Sequence, residues 1–154
     1  IKTITDVPCG DFYWLKEISF IFDQYFGGDI VDQIIKDNKK KFINRNLFFL
    51  KIDILKDNIP ESDMFFCRDL IVHLNFAETN LLISKLKRLN FKYIALTHFD
   101  DINLNRISNH ADNWKKINLM YHPFNISKPD FILDDTDKYH RGRKIAIWKK
   151  KNFR

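Results

Sequence analysis

The chain predicts a doubly wound α/β domain built on a largely parallel sheet. Three observations carry this: a strand, turn and helix start in the first 18 residues, strand and helix patterns that alternate through five strands, and inner strands too apolar for a solvated face. Ile1–Asp6 alternates along its length and ends on an acid, as a first strand. Val7-Pro8-Cys9-Gly10-Asp11 follows as a turn with glycine at its centre, leading into a short helix from Asp11 to about Ile18. Such a turn offers backbone N–H groups and a helix N-terminus to a bound ligand. Open α/β sheets make nucleotide-type sites this way.

The second strand lies within Phe20–Asp29 and ends in Gly27-Gly28-Asp29. A helix over Val31–Phe42 places Ile34, Ile35, Asn38 and Phe42 on one face and keeps Lys36, Lys39 and Lys40 mostly outside. Asn46–Asp53 and Asp63–Asp69 are the third and fourth strands, apolar enough to predict cover on both sides. Asn75 caps the next helix, Glu78 completes a capping box, and Leu82, Leu86 and Leu89 form its apolar stripe. Tyr93–Phe99 is the fifth strand. Residues 100–129 lack a clean period and carry Pro123 and Pro129, which predicts a long loop, functional or disordered. Phe131–Leu133 and Lys144–Trp148 close the fold as two strands joined by a turn containing Gly142.

At 154 residues, 1–154 is one domain. A hydrophobic content of 45% with 15% aromatics excludes a disordered chain. No apolar run reaches the roughly 20 residues that span a bilayer, and no signal-peptide pattern opens the chain. A soluble, cytoplasmic protein with no membrane partner is expected. Ile1 is not an initiator methionine and already lies in a predicted strand, which implies a missing N-terminal extension. Cys9 and Cys67 are too few for a disulfide framework and read as reduced, buried thiols. The five histidines show no ligand spacing, so no metal is expected.

The net charge of +6 is unevenly placed. Residues 138–154 hold eight positive side chains and no acid, and +6 less those eight leaves −2 for residues 1–137. A solvated basic terminus is the plain reading; an edge that contacts phosphates is the alternative.

Four glycines in the whole chain make each placement informative. Gly10 marks close backbone approach in the first turn, and Gly27-Gly28 the same at the second strand's end. Asp29 follows Asp6 by 23 residues, near the roughly 20-residue spacing of an acid that grips a ribose. A carboxylate suits that task because it accepts from both ribose hydroxyls.

At these residues the chain resembles the class I S-adenosylmethionine-dependent methyltransferases of bacterial small-molecule type. Their first motif runs acidic-x-Gly-x-Gly-x-Gly, often with Cys before the central glycine. Here it is matched by Asp6-x-Pro8-Cys9-Gly10-Asp11-Phe12, with Pro8 and Phe12 in the outer glycine positions. The resemblance implies a seven-stranded, mostly parallel Rossmann-like sheet whose last strand is antiparallel, in three layers, and the candidate strands number seven. It implies S-adenosyl-L-methionine as cofactor. Asp29 and the following Ile30 would hold the ribose, and Asp53 would accept from the adenine amine with the Ile54 N–H reaching the ring. Asp6 would order the turn of Pro8, Cys9 and Gly10, with Trp14 and Phe12 flanking the cofactor, and Cys67-Arg68 would close the fourth strand beside it. Asp69 is the expected general base or sulfonium-side carboxylate. His73, in an apolar-His-Leu segment, is the other catalytic candidate.

Methyl transfer is an in-line displacement on an activated group, so the protein supplies mainly alignment and water exclusion. A base is needed only where the acceptor must lose a proton. A small-molecule acceptor is expected, walled by His98, Trp114, Tyr121, His122 and Phe124. An RNA acceptor is the alternative from the basic terminus, although an Asn-Pro-Pro-Tyr-like signature is absent after the fourth strand. A degenerate domain that binds the cofactor without turnover is another, from Pro8 and Phe12. A nicotinamide oxidoreductase needs Gly-x-Gly-x-x-Gly, which the single Gly10 does not provide.

Overall fold

The computed structural model describes residues 1–17, 21–108 and 113–154. Its sheet has seven strands: β1 (Thr3–Asp6), β2 (Gln24–Asp29), β3 (Leu47–Lys51), β4 (Met64–Cys67), β5 (Tyr93–Phe99), β6 (Phe131–Asp134) and β7 (Arg143–Lys149). Their order is β3-β2-β1-β4-β5-β7-β6. β1 to β5 are parallel, and β7 runs antiparallel to both β5 and β6. The chain winds outward from β1 to β3, then returns past β1 to β4. The switch in winding direction therefore falls between β1 and β4, where open α/β sheets leave a crevice at their carboxyl ends.

Helix α1 (Asp32–Lys41) packs on one face through Ile35, joined by Phe12, Leu15, Tyr25 and Phe49. Helix α2 (Phe76–Arg88) packs on the other through Leu82, Ile83 and Leu86 against Phe65, Cys67, Ile94 and Leu96. Its predicted capping box is present: the Asn75 side chain accepts from the Glu78 N–H, and Glu78 accepts from the Asn75 N–H. Residues 100–129 form no helix or strand among the described residues. Ile117, Leu119, Phe124 and Ile126 are nevertheless buried under α2's side of the sheet, so much of this segment is packed core.

Two expectations fail. The segment after β1 is a series of turns among the described residues, not a helix. Phe12 takes φ +60° and its ring is buried against Tyr25, Phe42 and Phe49, so the chain enters 13–17 from a left-handed residue that cannot continue into a right-handed helix. The expected helix end at Ile18 and segment start at Phe20 lie outside the described residues, as do 109–112 of the long loop. The second failure is β3, which is the sheet's edge and carries α1 on one side only. Phe48 and Leu50 stay exposed on the other, where Phe48 stacks on Phe26 at 5.2 Å.

Cover is also partial on the α1 face. Beyond β1, the side chains of Met64, Phe66, Ile145, Ile147 and Leu133 line an open apolar groove of about 350 Å³. Beside it β6 exposes Phe131, Ile132 and Leu133 at the outer edge. The basic terminus is partly internal: Arg143 is buried, Lys144 pairs with Asp134 at 2.9 Å, and the Lys150 ammonium donates to the Leu86 and Leu89 carbonyls at the end of α2. No helix among the described residues is long and apolar enough to cross a membrane.

Candidate functional site

The carboxyl ends of β1, β2 and β4 surround a cavity of about 270 Å³ lined by Pro8, Cys9, Gly10, Asp11, Trp14, Asp29, Arg68 and Asp69. Its floor is the turn after β1, and the sequence locks that turn from three sides. The Cys9 N–H donates to the Gly28 carbonyl (2.8 Å), the Gly10 N–H to Asp29 Oδ2 (3.2 Å), and the buried Asn38 of α1 donates to the Gly10 carbonyl (2.7 Å). The Phe12 and Tyr13 N–H groups are taken by Cys9 O and Asp11 Oδ1. With those amides spent and no helix behind them, the turn is no phosphate cradle, contrary to the expectation of free N–H groups at a helix start.

Gly10 keeps the meaning read for it. It stands at φ +52°, and no atom lies within 4 Å of where a Cβ would stand, so the backbone faces open space. Gly27 and Gly28 do not. A Cβ on Gly28 would strike Ile52 at 2.8 Å and Val7 at 2.9 Å, and one on Gly27 the Tyr25 ring at 2.7 Å. These two glycines let strands and turn close-pack.

A second cavity of about 300 Å³ opens on the other side of Pro8, lined by Val7, Ile30, Ile52, Asp53, Ile54, Leu55, Lys56, Leu70, Leu74 and Glu78. It is mostly aliphatic, with Asp53 at its rim. Burial opposes ionisation of Asp53, but bonds from the Leu55 N–H (3.0 Å) and the Lys56 ammonium (3.2 Å) prevail and lower its carboxyl below the usual value. The Ile54 N–H has no partner among the described residues. Its carbonyl accepts from Lys85 of α2 at 2.8 Å, which ties this turn to the helix.

Beyond Asp69 lies an ion network. The buried Arg143 donates Nη1 to Asp69 Oδ2 (3.0 Å), Nη2 to Asp137 Oδ2 (2.8 Å) and Nε to the Asp135 carbonyl (3.1 Å). Arg68 forks onto Asp135 through Nε and Nη2 at 3.0 and 3.1 Å, approaches Asp69 at 3.4 Å, and lies over the Trp14 ring at 5.2 Å. Asp69 Oδ2 is thus engaged by two guanidinium groups. Asp69 itself holds φ +58°, with its N–H on Thr97 Oγ1.

Asp6 lies beneath the turn and lines neither cavity. Tyr25 donates to its Oδ2 at 2.6 Å, while Oδ1 is buried without a partner. Burial raises its carboxyl to about 7, against the Tyr25 bond, with Asp29 adding to the rise and Arg68 opposing it.

The structure therefore gathers Pro8, Cys9, Gly10, Trp14, Asp29, Arg68 and Asp69 at one cavity and Ile30, Asp53 and Ile54 at the next. Cys67 is fully buried in the core, and the exposed His73 lines neither cavity. Phe12 is core rather than a cofactor flank. Of the expected acceptor wall, Trp114 lines a cavity of about 550 Å³ with Asp101, Arg106 and Lys116. His98 is buried, held to about 4 by desolvation with Asp100 opposing, and Phe124 packs on Phe76. Asn38, Asp135, Asp137, Arg143 and Lys85 were not found by sequence reasoning. The acids Asp134-Asp135-x-Asp137 just before the basic run were the available signal.

No known protein family and no curated protein matches the chain. Solved structures do. The magnesium protoporphyrin IX methyltransferase of Synechocystis PCC 6803 with bound SAM is similar over 95% of this chain and 69% of its own, at 13% identity and a TM-score of 0.70. The DhpI–SAH complex is similar over 94% and 74%, at 13% identity and TM-score 0.66. Human N-acetylserotonin methyltransferase with SAM is similar over 65% of this chain, at 17% identity and TM-score 0.56, and the chain spans only 31% of its length. The fold is that of the class I S-adenosylmethionine-dependent methyltransferases, with all seven strands in place.

Proposed function

We propose that the chain binds S-adenosyl-L-methionine and transfers its methyl group to a small molecule by direct in-line displacement. The observation that carries this is the pair of cavities joined at Pro8 across the β1–β4 switch, each with a strand-end acid, on a turn whose amides are spent. A ligand fitting it is a nucleoside without phosphates: an apolar base pocket with a carboxylate at its rim, a ribose-binding acid, and a charged far end. Three structural neighbours solved with SAM or SAH support the same reading.

Asp29 would accept from the ribose hydroxyls while its other lone pairs keep the Gly10 and Val31 N–H groups. Asp53 would take the adenine amine, the Ile54 N–H a ring nitrogen, and Ile30 and Leu70 the ring faces. Gly10 leaves room for the methionine portion, whose carboxylate and ammonium suit Arg68 and Asp69. When bound, the cofactor supplies a methyl group already activated on a sulfonium. With Oδ2 held by Arg143 and Arg68, Asp69 serves better as a cation-side carboxylate than as the proton acceptor. Trp14 shields the site from water.

Calorimetric titration with S-adenosylhomocysteine, with NADH as control, tests the reading. Wild type should bind and NADH should not. Asp29→Ala should weaken binding roughly 10- to 100-fold, the worth of charged hydrogen bonds. A folded chain that ignores S-adenosylhomocysteine would refute the proposal, and binding without turnover on any acceptor would leave a degenerate domain.

A further inference from the structure

Asp137 and His140 form a dyad in the β6–β7 connection, at the far end of the ion network from the cofactor cavity. The His140 Nδ1 lies 3.0 and 3.1 Å from the two Asp137 oxygens. Asp137 is itself fixed by the Tyr139 and His140 N–H groups and by Arg143 Nη2. The ring stands tilted 5.9 Å from Trp114, a wall of the 550 Å³ cavity. Its Nε2 has no partner among the described residues, and the side chain is about one-third exposed. One guanidinium and one carboxylate separate it from Asp69 at the cofactor cavity. The dyad thus stands between the place where a methyl donor would lie and a roomy neighbouring cavity with an indole wall.

We infer that His140, oriented by Asp137, is the general base that takes a proton from a hydroxyl-bearing, flat-ringed acceptor lying against Trp114. This rests on the methyltransferase reading above. A carboxylate on Nδ1–H fixes the tautomer that leaves a lone pair on Nε2. In the step, Nε2 takes the hydroxyl proton and the acceptor oxygen's freed pair forms the bond to the methyl carbon. The carbon–sulfur pair remains on sulfur, leaving a neutral thioether, and the imidazolium later passes its proton to water. Asp137 is a positioning residue, and Arg143 holds Asp137. The charged groups facing the ring's surroundings are Asp137, Arg143 and Asp135 of the hairpin, with Arg68 and Asp69 beyond.

The test uses the whole chain with methyl-labelled S-adenosylmethionine and a panel of phenols, benzoates and aromatic amines. Phenol turnover should fall roughly 10²- to 10³-fold in His140→Gln, as general bases contribute, with S-adenosylhomocysteine affinity within twofold. Added imidazole should restore part of the rate in His140→Ala. In nitrogen-15 NMR at pH 8, His140 should carry its proton on Nδ1 in wild type and lose that preference in Asp137→Asn. A proton on Nε2, or His140→Gln retaining a third of the rate, would overturn the inference. So would turnover confined to benzoates, or none on any hydroxyl acceptor, by a chain that binds S-adenosylhomocysteine. Failure to bind S-adenosylhomocysteine would sink the methyltransferase reading and this inference with it.

Discussion

The two cavities on either side of Pro8 are built by opposite means. The one beside Asp53 is aliphatic, and its few polar bonds join residues near in sequence, except for Lys85 reaching Ile54 from α2. The one beside Asp69 is charged, and its wall depends on partners 67 and 74 residues apart in sequence. A site made of local turns and oil tolerates the loss of one polar group. One made of interlocked charges does not, because each ion removed leaves another buried and unpaired.

The largest break in that contrast should come from Arg143→Met. It leaves Asp69, Asp135 and Asp137 without their shared buried cation, and urea denaturation should show a loss of about 3–5 kcal/mol. A loss under 1 kcal/mol would mean the network is no more than surface pairing.

Next comes the pH dependence, where the sign differs for two buried groups. Asp6 has its carboxyl raised to about 7, so it favours the folded state at low pH and withdraws that support as pH rises from about 4 to 7. His98, lowered to about 4, supports the fold above its ordinary pKa near 6.5 and withdraws as pH falls toward 4. The slopes oppose between about 4 and 6.5, so from this pair wild-type stability should be nearly flat there. Asp6→Asn should gain about 1–3 kcal/mol at pH 8, since the ionisation cost disappears while an amide N–H is left unpartnered. Its stability should then climb with pH across that window. A variant as flat as wild type would show that Asp6 does not titrate there.

Smaller effects separate the glycines. Gly28→Ala drives a methyl into Val7 and Ile52 and should cost about 1–3 kcal/mol. Gly10→Ala meets open space and should cost only about 1 kcal/mol for its left-handed backbone, yet weaken S-adenosylhomocysteine by the larger factor. Equal binding losses would erase the distinction. Smallest of all, Lys85→Met should free the 54–57 turn and reduce S-adenosylhomocysteine affinity by about twofold to tenfold, with melting almost unchanged.

Much of the fold was readable in advance because the strands follow local patterns. Tyr93–Phe99 and the Asn75–Glu78 cap appear as written. The first turn misled because an aromatic at position 12 looks like the start of an amphipathic helix. Its buried ring instead holds a left-handed backbone that only the packing of Tyr25, Phe42 and Phe49 explains. β3 misled because apolar content does not reveal that a strand is an edge. The strand-end acids Asp29 and Asp53 were legible from spacing. Arg143, Asp135 and Asp137 were not, since nothing local tells a solvated basic run from one folded back onto acids beside β4.

The unclad apolar stretch over β4, β7 and β6 has a colloidal consequence. With Phe131, Ile132 and Leu133 bare along an outermost strand, backbone groups and oily side chains meet the solvent together, the combination that seeds self-association. The net charge of +6 is the main restraint against it. Salt that screens this charge should bring copies together, so light scattering should rise with ionic strength.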